Sequence, residues 1–177
     1  MIKQLKKTYL PIIKDMFLPK EHYHRIDEIE LGKLYDKGYR SVFLDIDNTL
    51  MSYDERELSL QNLEWVEGIK KTGFRCFILS NNLSKRRIER ISKQMKTPGV
   101  YFALKPFTYS IQELAKQHRV SLKHSIIIGD QVFKDILLGN WLQMHSILVD
   151  PIDIRKSYFK TLQRDLEVKI LDKLSTV

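Results

Sequence analysis

The chain has 177 residues, 43% of them hydrophobic, 10% aromatic and 29% charged, with a formal net charge of +8. This is the size of one domain with its own core, and the composition excludes a wholly disordered chain. No apolar run reaches the roughly 18 residues that cross a bilayer, the N-terminus shows no secretory pattern, and the single Cys76 excludes an internal disulfide and a cysteine metal cluster. A reducing, cytoplasmic setting is expected, and the positive charge favours polyanionic partners or a solvated basic surface.

In chain order, residues 1–24 form a basic, apolar N-terminal extension interrupted by Pro11 and Pro19. Two fates are open to it: packing on the domain, or resting on the inner face of an anionic membrane. An acidic helix is predicted over Ile26–Tyr35, ending at Lys37-Gly38. A catalytic core over 39–150 then alternates strands and helices. The predicted strands are Ser41–Ile46, Arg75–Leu79, Val100–Ala103, Ser125–Ile128 and Ser146–Val149. The predicted helices are Leu60–Lys71, a basic one capped by Ser84 and running to Gln94, one capped by Thr108 and running to His118, and Val132–Met144. A last amphipathic helix over 154–174 repeats Tyr158, Phe159, Leu162, Leu166, Ile170 and Leu174 at helical spacing. Continuous apolar strands alternating with helices predict a single α/β domain, a three-layer, Rossmann-like, doubly wound parallel sheet.

Four polar stretches follow four of the strands: Asp45-Ile46-Asp47-Asn48-Thr49, Ser80-Asn81-Asn82, Lys105-Pro106, and Gly129-Asp130 with Asp135. A doubly wound sheet presents strand C-terminal ends to ligands, so these groups converge on one edge. Asp45, an anion at neutral pH, can attack phosphorus without a partner base. Asp47, two residues on, can protonate the leaving oxygen and then activate water. Lys105 can pair with Asp45 and a phosphate, and Ser80 and Asn81 can donate to phosphate oxygens. Asp45, Asp130 and a backbone carbonyl suit Mg²⁺, which prefers oxygen ligands, and Asp135 suits an acceptor that orients Lys105 or a water. Gly129 reads as permitting a tight exit from its strand. The five histidines do not cluster, and His22 and His24 alternate without an evident partner.

This ordered set resembles the haloacid dehalogenase superfamily of phosphatases. The resemblance assigns Asp45 as nucleophile, Asp47 as acid/base, Ser80 and Lys105 to the second and third motifs, Asp130 with Asp135 to the fourth, Thr49 and Asn81 to substrate binding, and Mg²⁺ to Asp45, Asp47 and Asp130. The run Gly129-Asp130-Gln131-Val132-Phe133-Lys134-Asp135, with Gly139-Asn140 and Ile147–Ile152, resembles the YqeG-type subclass IIIA phosphatases, which are similar to phosphatidylglycerophosphate phosphatases. The sequence departs from that pattern at Lys134, Trp141 and Gln143.

The spacing from Asp45 to Ser80 and from Ser80 to Lys105 leaves no room for a large cap domain. The open site that follows suits a lipid headgroup on a membrane, a macromolecule, or a small substrate closed over by a partner subunit. Phosphatidylglycerophosphate is the expected substrate. The alternatives are a soluble phosphatase for a metabolite or phosphoprotein, a phospho-aspartate signalling module, and an RNA- or ribosome-associated module suggested by Lys85-Arg86-Arg87 and Arg90. No aromatic-interleaved RNA motif supports the last. The oligomeric state is left open.

Overall fold

The computed structural model describes residues 13–153 and 158–175. The lysines at the start of the N-terminal extension and the first residues of the last predicted helix lie outside them, as do the side chains of Tyr158, Phe159 and Leu162. Six parallel strands form one sheet: β1 (Glu21–Tyr23), β2 (Ser41–Leu44), β3 (Arg75–Leu79), β4 (Gly99–Val100), β5 (Ser125–Gly129) and β6 (His145–Val149), in the order β1-β6-β5-β2-β3-β4. The helices are α1 (Leu31–Asp36), α2 (Leu60–Lys71), α3 (Lys85–Met95), α4 (Tyr109–Gln117), α5 (Leu137–Trp141) and α6 (Tyr158–Ser175).

The strands read as unbroken apolar runs because helices cover both faces. Successive side chains alternate across the sheet. Val42, Leu44, Cys76, Ile78, Ile126 and Ile128 pack against Val66 and Ile69 of α2 and Ile88, Ile91 and Met95 of α3. Phe43, Phe77, Leu79 and Ile127 face Ile111 and Leu114 of α4 and Leu138 of α5, with the Phe43 and Phe77 rings stacked 5.0 Å apart. The result is the three-layer α/β arrangement expected. The chain runs outward from β2 through β3 to β4, then returns to β5 on the other side of β2. That reversal makes a crevice at the C-terminal ends of β2 and β5.

Several expectations need correction. The N-terminal extension contributes a sixth strand: β1 pairs with β6, Glu21 opposite Ile147 and Tyr23 opposite Val149. Ahead of it, Phe17 meets Phe133 edge-on at 5.7 Å, and Asn140 Nδ2 donates to the carbonyls of Met16 at 3.0 Å and Leu18 at 2.8 Å. Residues 16–23 therefore pack on the domain, while Ile13 is exposed. The acidic helix splits into a 3₁₀ turn, Ile26–Glu28, and α1. Strand β4 stops at Val100, and Thr108 makes no side-chain cap on α4. Ser84 does cap α3, its Oγ accepting from the Arg87 amide at 3.3 Å.

The predicted Val132–Met144 helix is a π-helical turn, Val132–Ile136, followed by α5. On α6 the inward face is offset from the predicted stripe. Leu166 is exposed, whereas Glu167 and Leu174 are buried and Leu171 packs beside Val132 and Ile136. Glu167 Oε1 accepts from the Phe133 amide at 3.1 Å, so a buried acid serves the π turn. His22 and His24 do have a partner: Asp150 accepts from both rings, at 2.8 and 2.7 Å.

Candidate active site

The sheet edge gathers the predicted residues around one open cleft of about 370 Å³, lined by Asp45, Asp47, Tyr53, Ser80, Asn81, Asn82, Leu83, Lys105, Gln131 and Lys134. Asp45 leaves β2 with its amide bonded to the Ile128 carbonyl at 3.0 Å. The chain then turns sharply. Asn48 adopts a left-handed backbone, φ 67°, which asparagine tolerates better than most residues. Its amide donates to Met51 O at 2.7 Å and its side chain to Asp153 O at 2.9 Å. The turn thus points Asp45 and Asp47 to different partners.

Asp45 meets Lys105. The Nζ donates to Asp45 Oδ1 at 2.7 Å and to Asp135 Oδ1 at 2.6 Å, and all three side chains are buried. Asn81 fixes the lysine from behind, accepting from its amide at 2.7 Å and donating to its carbonyl at 2.9 Å. Burial alone would lower the Lys105 ammonium, but Asp135 and Asp45 beside it hold it above the ordinary lysine range. Burial pushes the Asp135 carboxyl up, with Lys105 opposing and Asp45 adding to the rise.

Asp135 owes its position to local geometry. The π turn carries it back so that its Oδ2 accepts from the Gln131 amide at 3.2 Å. It then lies against Gly129, where an added Cβ would meet Asp135 Cγ at 2.2 Å. Gly129 has no positive φ, so close approach rather than a tight turn explains it. π turns of this kind recur at functional sites.

Asp47 faces the opposite wall. Asn82 Nδ2 donates to its Oδ2 at 2.7 Å, and Arg87 donates to its Oδ1 through Nε at 3.1 Å and Nη2 at 2.9 Å. Arg87 also donates to the carbonyls of Ser52, at 3.0 Å, and Glu55 in the loop between β2 and α2. Ser84 caps α3, and Asn82 Oδ1 accepts from the Ser84 amide at 2.8 Å. Together they aim the first turn of α3 at Asp47. The basic cluster that suggested RNA therefore gives one of its members, Arg87, to the cleft.

Ser80 is buried, its Oγ accepting from the Asn82 amide at 3.1 Å. Thr49 is buried behind Asp45, its Oγ1 3.5 Å from Asp45 Oδ2, and lines a neighbouring cavity with His24 and Asp150. It is not among the residues lining the cleft, contrary to the substrate contact expected of it. Sequence reasoning missed Arg87, Asn82 and Tyr53. Burial and the charges of Asp130, Asp45 and Asp47 raise the Tyr53 phenol. The one signal for Arg87 was its place three residues after the Ser84 cap.

Asp45, Asp130 and Asp135 offer ligand oxygens all within 4.8 Å of one another, the metal-competent group among the described residues. All three are buried beside one buried cation, Lys105. Such an excess of like charge calls for a divalent cation, so the donor set fits one.

Comparison with known proteins shows the family. Residues 103–151 match the HAD-hydrolase-like family. The probable phosphatase YqeG of Bacillus subtilis strain 168 is 31% identical over 163 residues, which cover 92% of this chain and 94% of the relative. This chain belongs to the haloacid dehalogenase-like phosphatases, in their YqeG branch. An uncharacterized protein from Listeria monocytogenes serotype 4b has the same fold, with a TM-score of 0.53 at 17% identity over 78% of this chain and 99% of that one. So does the cobalt-bound deoxy-D-mannose-octulosonate 8-phosphate phosphatase of Haemophilus influenzae, with a TM-score of 0.52 at 14% identity over 78% and 87%. As a haloacid dehalogenase-like phosphatase the chain is a phosphoric monoester hydrolase rather than a non-turnover module.

Proposed function

We propose that this phosphatase is a Mg²⁺-dependent phosphomonoesterase that works through an aspartyl-phosphate on Asp45, with a lipid phosphomonoester of the phosphatidylglycerophosphate type as substrate. The observation that carries the reading is the Lys105 ammonium held 2.7 Å from Asp45 inside an open cleft. It keeps the carboxylate desolvated and aimed, and it stands ready to receive negative charge from a phosphoryl group.

An Asp45 oxygen attacks phosphorus as the bond to the ester oxygen breaks. Asp47 gives its proton to that leaving oxygen, and an alcohol departs. Asp47 then takes a proton from water, whose oxygen attacks the same phosphorus. Inorganic phosphate leaves and the Asp45 carboxylate is restored. Ser80 and Lys105 donate to the phosphoryl oxygens throughout, and Asn81 acts by holding Lys105. Asp45, Asp130 and the Asp47 carbonyl would hold Mg²⁺, which supplies neutralisation of phosphoryl charge. Asp135 keeps Lys105 in place.

The lipid assignment is supported by the open cleft and by the basic balance of the chain. A cytoplasmic enzyme working at the inner face of the membrane fits the free, buried Cys76. Among the described residues no helix is long and apolar enough to cross a membrane, so contact would be peripheral. The deciding assay measures phosphate release, with Mg²⁺ or EDTA, from vesicles carrying phosphatidylglycerophosphate and from a panel of soluble phosphomonoesters and phosphoproteins. Hydroxylamine-sensitive labelling of the enzyme should appear in the wild type and vanish in Asp45→Asn. Labelling that survives the substitution rules out the intermediate, and preference for a soluble ester rules out the lipid.

A further inference from the structure

The loop from Tyr101 to Thr108, Tyr109 at the start of α4 and the neighbouring Leu83 expose a run of large apolar side chains beside the cleft. Leu83 is 74% exposed, Phe102 47%, Leu104 48%, Phe107 72% and Tyr109 74%. The two segments adjoin: the Phe102 amide donates to Asn82 O and the Ala103 amide to Ser80 O, both at 2.9 Å. Leu83 itself lines the cleft. Scattered exposed apolar residues need no explanation, but a contiguous group at the mouth of a site marks an interaction surface.

The backbone makes the exposure more telling. Phe102 and Leu104 have φ of 48° and 57°, the left-handed region that disfavours side chains of this size. Of the six non-glycine residues with positive φ among those described, these two are the large apolar ones. Between and after them Ala103 and Lys105 are buried. The strained loop therefore sends Lys105 inward and Phe102 and Leu104 outward, and an asparagine at either position would relieve the strain while losing the apolar tip.

The surrounding charge selects the occupant. Of the basic residues near the rim, Arg87 and Lys105 are paired with the carboxylates of the site. Lys85 lies 3.7 Å from Glu89, which leaves Arg86, among the described residues, as the unscreened cation at the start of α3 and Lys85 as a partly screened one. Lys85 and Arg86, both exposed, follow Leu83 at the start of α3. Exposed leucine and aromatic side chains flanked by basic ones are the composition of a surface that enters the headgroup region of an anionic bilayer.

We infer that the rim formed by Leu83, Phe102, Leu104, Phe107 and Tyr109 is a membrane-docking surface that seats the open cleft on an anionic bilayer, so that a phosphomonoester headgroup enters without leaving the lipid plane. The inference deepens the lipid-phosphatase reading and rests on it for the headgroup, while the docking itself is measured independently.

The test uses the full chain and sedimentation with vesicles of phosphatidylcholine alone or mixed with phosphatidylglycerol. The wild type should bind the mixed vesicles, less so in high salt, and ignore the neutral ones. Phe102→Asn combined with Phe107→Ser should weaken that binding by at least about tenfold, with Mg²⁺-dependent hydrolysis of para-nitrophenyl phosphate unchanged and the melting temperature equal or higher. Tyr109→Ser, outside the strained loop, should lower vesicle binding on its own. Absence of vesicle binding by the wild type, or equal binding by wild type and variants, overturns the docking surface. So does a wild-type dimer in light scattering that the variants dissolve, which would make the rim a subunit interface. Vesicle binding in the expected pattern without cleavage of para-nitrophenyl phosphate leaves the docking surface standing and removes the phosphatase mechanism instead.

Discussion

Two aspartates two residues apart meet cations on opposite walls. Asp45 faces Lys105, which is buried, shared with Asp135 and clasped at its backbone by Asn81. Asp45 and Asn81 sit at strand ends, Lys105 in the loop after β4 and Asp135 in the π turn after β5. Asp47 faces Arg87, whose side chain also holds the Ser52 and Glu55 carbonyls of the loop that follows the turn. One half of the cleft is thus built on the sheet, and the other is tied to a surface loop. Charge that must be fixed before the substrate arrives belongs on the first half. Under the proposed mechanism, the proton that is given and then taken belongs on the second, on an Asp47 carboxylate oriented by Asn82 and Arg87.

The largest effect should come from the sheet-built half. Asp45→Asn is expected to lower turnover by at least roughly a thousandfold with the protein still folded, since Asp135 remains as a partner of Lys105, and EDTA should have little left to remove. Steady-state phosphate release beside circular dichroism checks both, and near-wild-type rates would break the assignment of Asp45. Lys105→Met comes next. It leaves Asp45 and Asp135 buried without their cation, which is expected to cost about 3–5 kcal/mol of stability and about a hundredfold in turnover. Because a divalent ion can replace some of the missing positive charge, Mg²⁺ should raise the melting temperature of this variant more than that of the wild type. Equal shifts would mean that the ion and Lys105 do not share a charge balance.

The loop-tied half separates chemistry from positioning. Asp47→Asn should cost about a hundredfold or more in turnover, with the loss smallest for esters whose leaving group needs no proton. Arg87→Ala should cost only about tenfold, through misplacement of Asp47, and about 3 kcal/mol of stability because a largely buried pair is broken. Arg87 acts through Asp47, so its loss should also track the leaving group, and Arg87→Lys should restore part of the stability but not the two-nitrogen grip. An Arg87→Ala effect that ignores the leaving group would assign the arginine to the fold alone.

What could be read from the sequence follows the same division. The sheet half was legible because its residues follow apolar strands in a fixed order, and strand ends are where a parallel sheet displays polar groups. Asp45, Ser80 and Asp130 come from such positions, and Lys105 and Asp135 from the loop and turn that follow them. The loop half was not, since nothing in Lys85-Arg86-Arg87 says which of three adjacent cations turns inward. Only the Asn82–Ser84 turn decides it. The π turn was equally hidden: Val132–Met144 has helical spacing, and one extra residue per turn leaves no compositional trace. Strand β1 is three residues long, too short for periodicity to reveal. On α6 the stripe Leu166–Ile170–Leu174 competed with Glu167–Leu171–Leu174, and the buried acid that decided it is a residue type rarely found inside.

Thr49 supplies the smallest and sharpest contrast. Motif position made it a substrate contact, yet it is buried behind Asp45 with a 3.5 Å approach of Oγ1 to Oδ2. A contact that long is a weak hydrogen bond. Thr49→Val should therefore leave KM for any phosphomonoester unchanged and lower kcat by less than about fivefold, with a stability change of about 1 kcal/mol from the lost hydroxyl. A rise in KM would return Thr49 to the substrate side and would mean that the turn opens when the cleft is filled. A fall in kcat alone, matched by a weaker response to Mg²⁺, would instead show that even this weak donor helps to aim the Asp45 carboxylate. The sheet-built half of the cleft would then extend one residue layer deeper than Lys105 and Asp135.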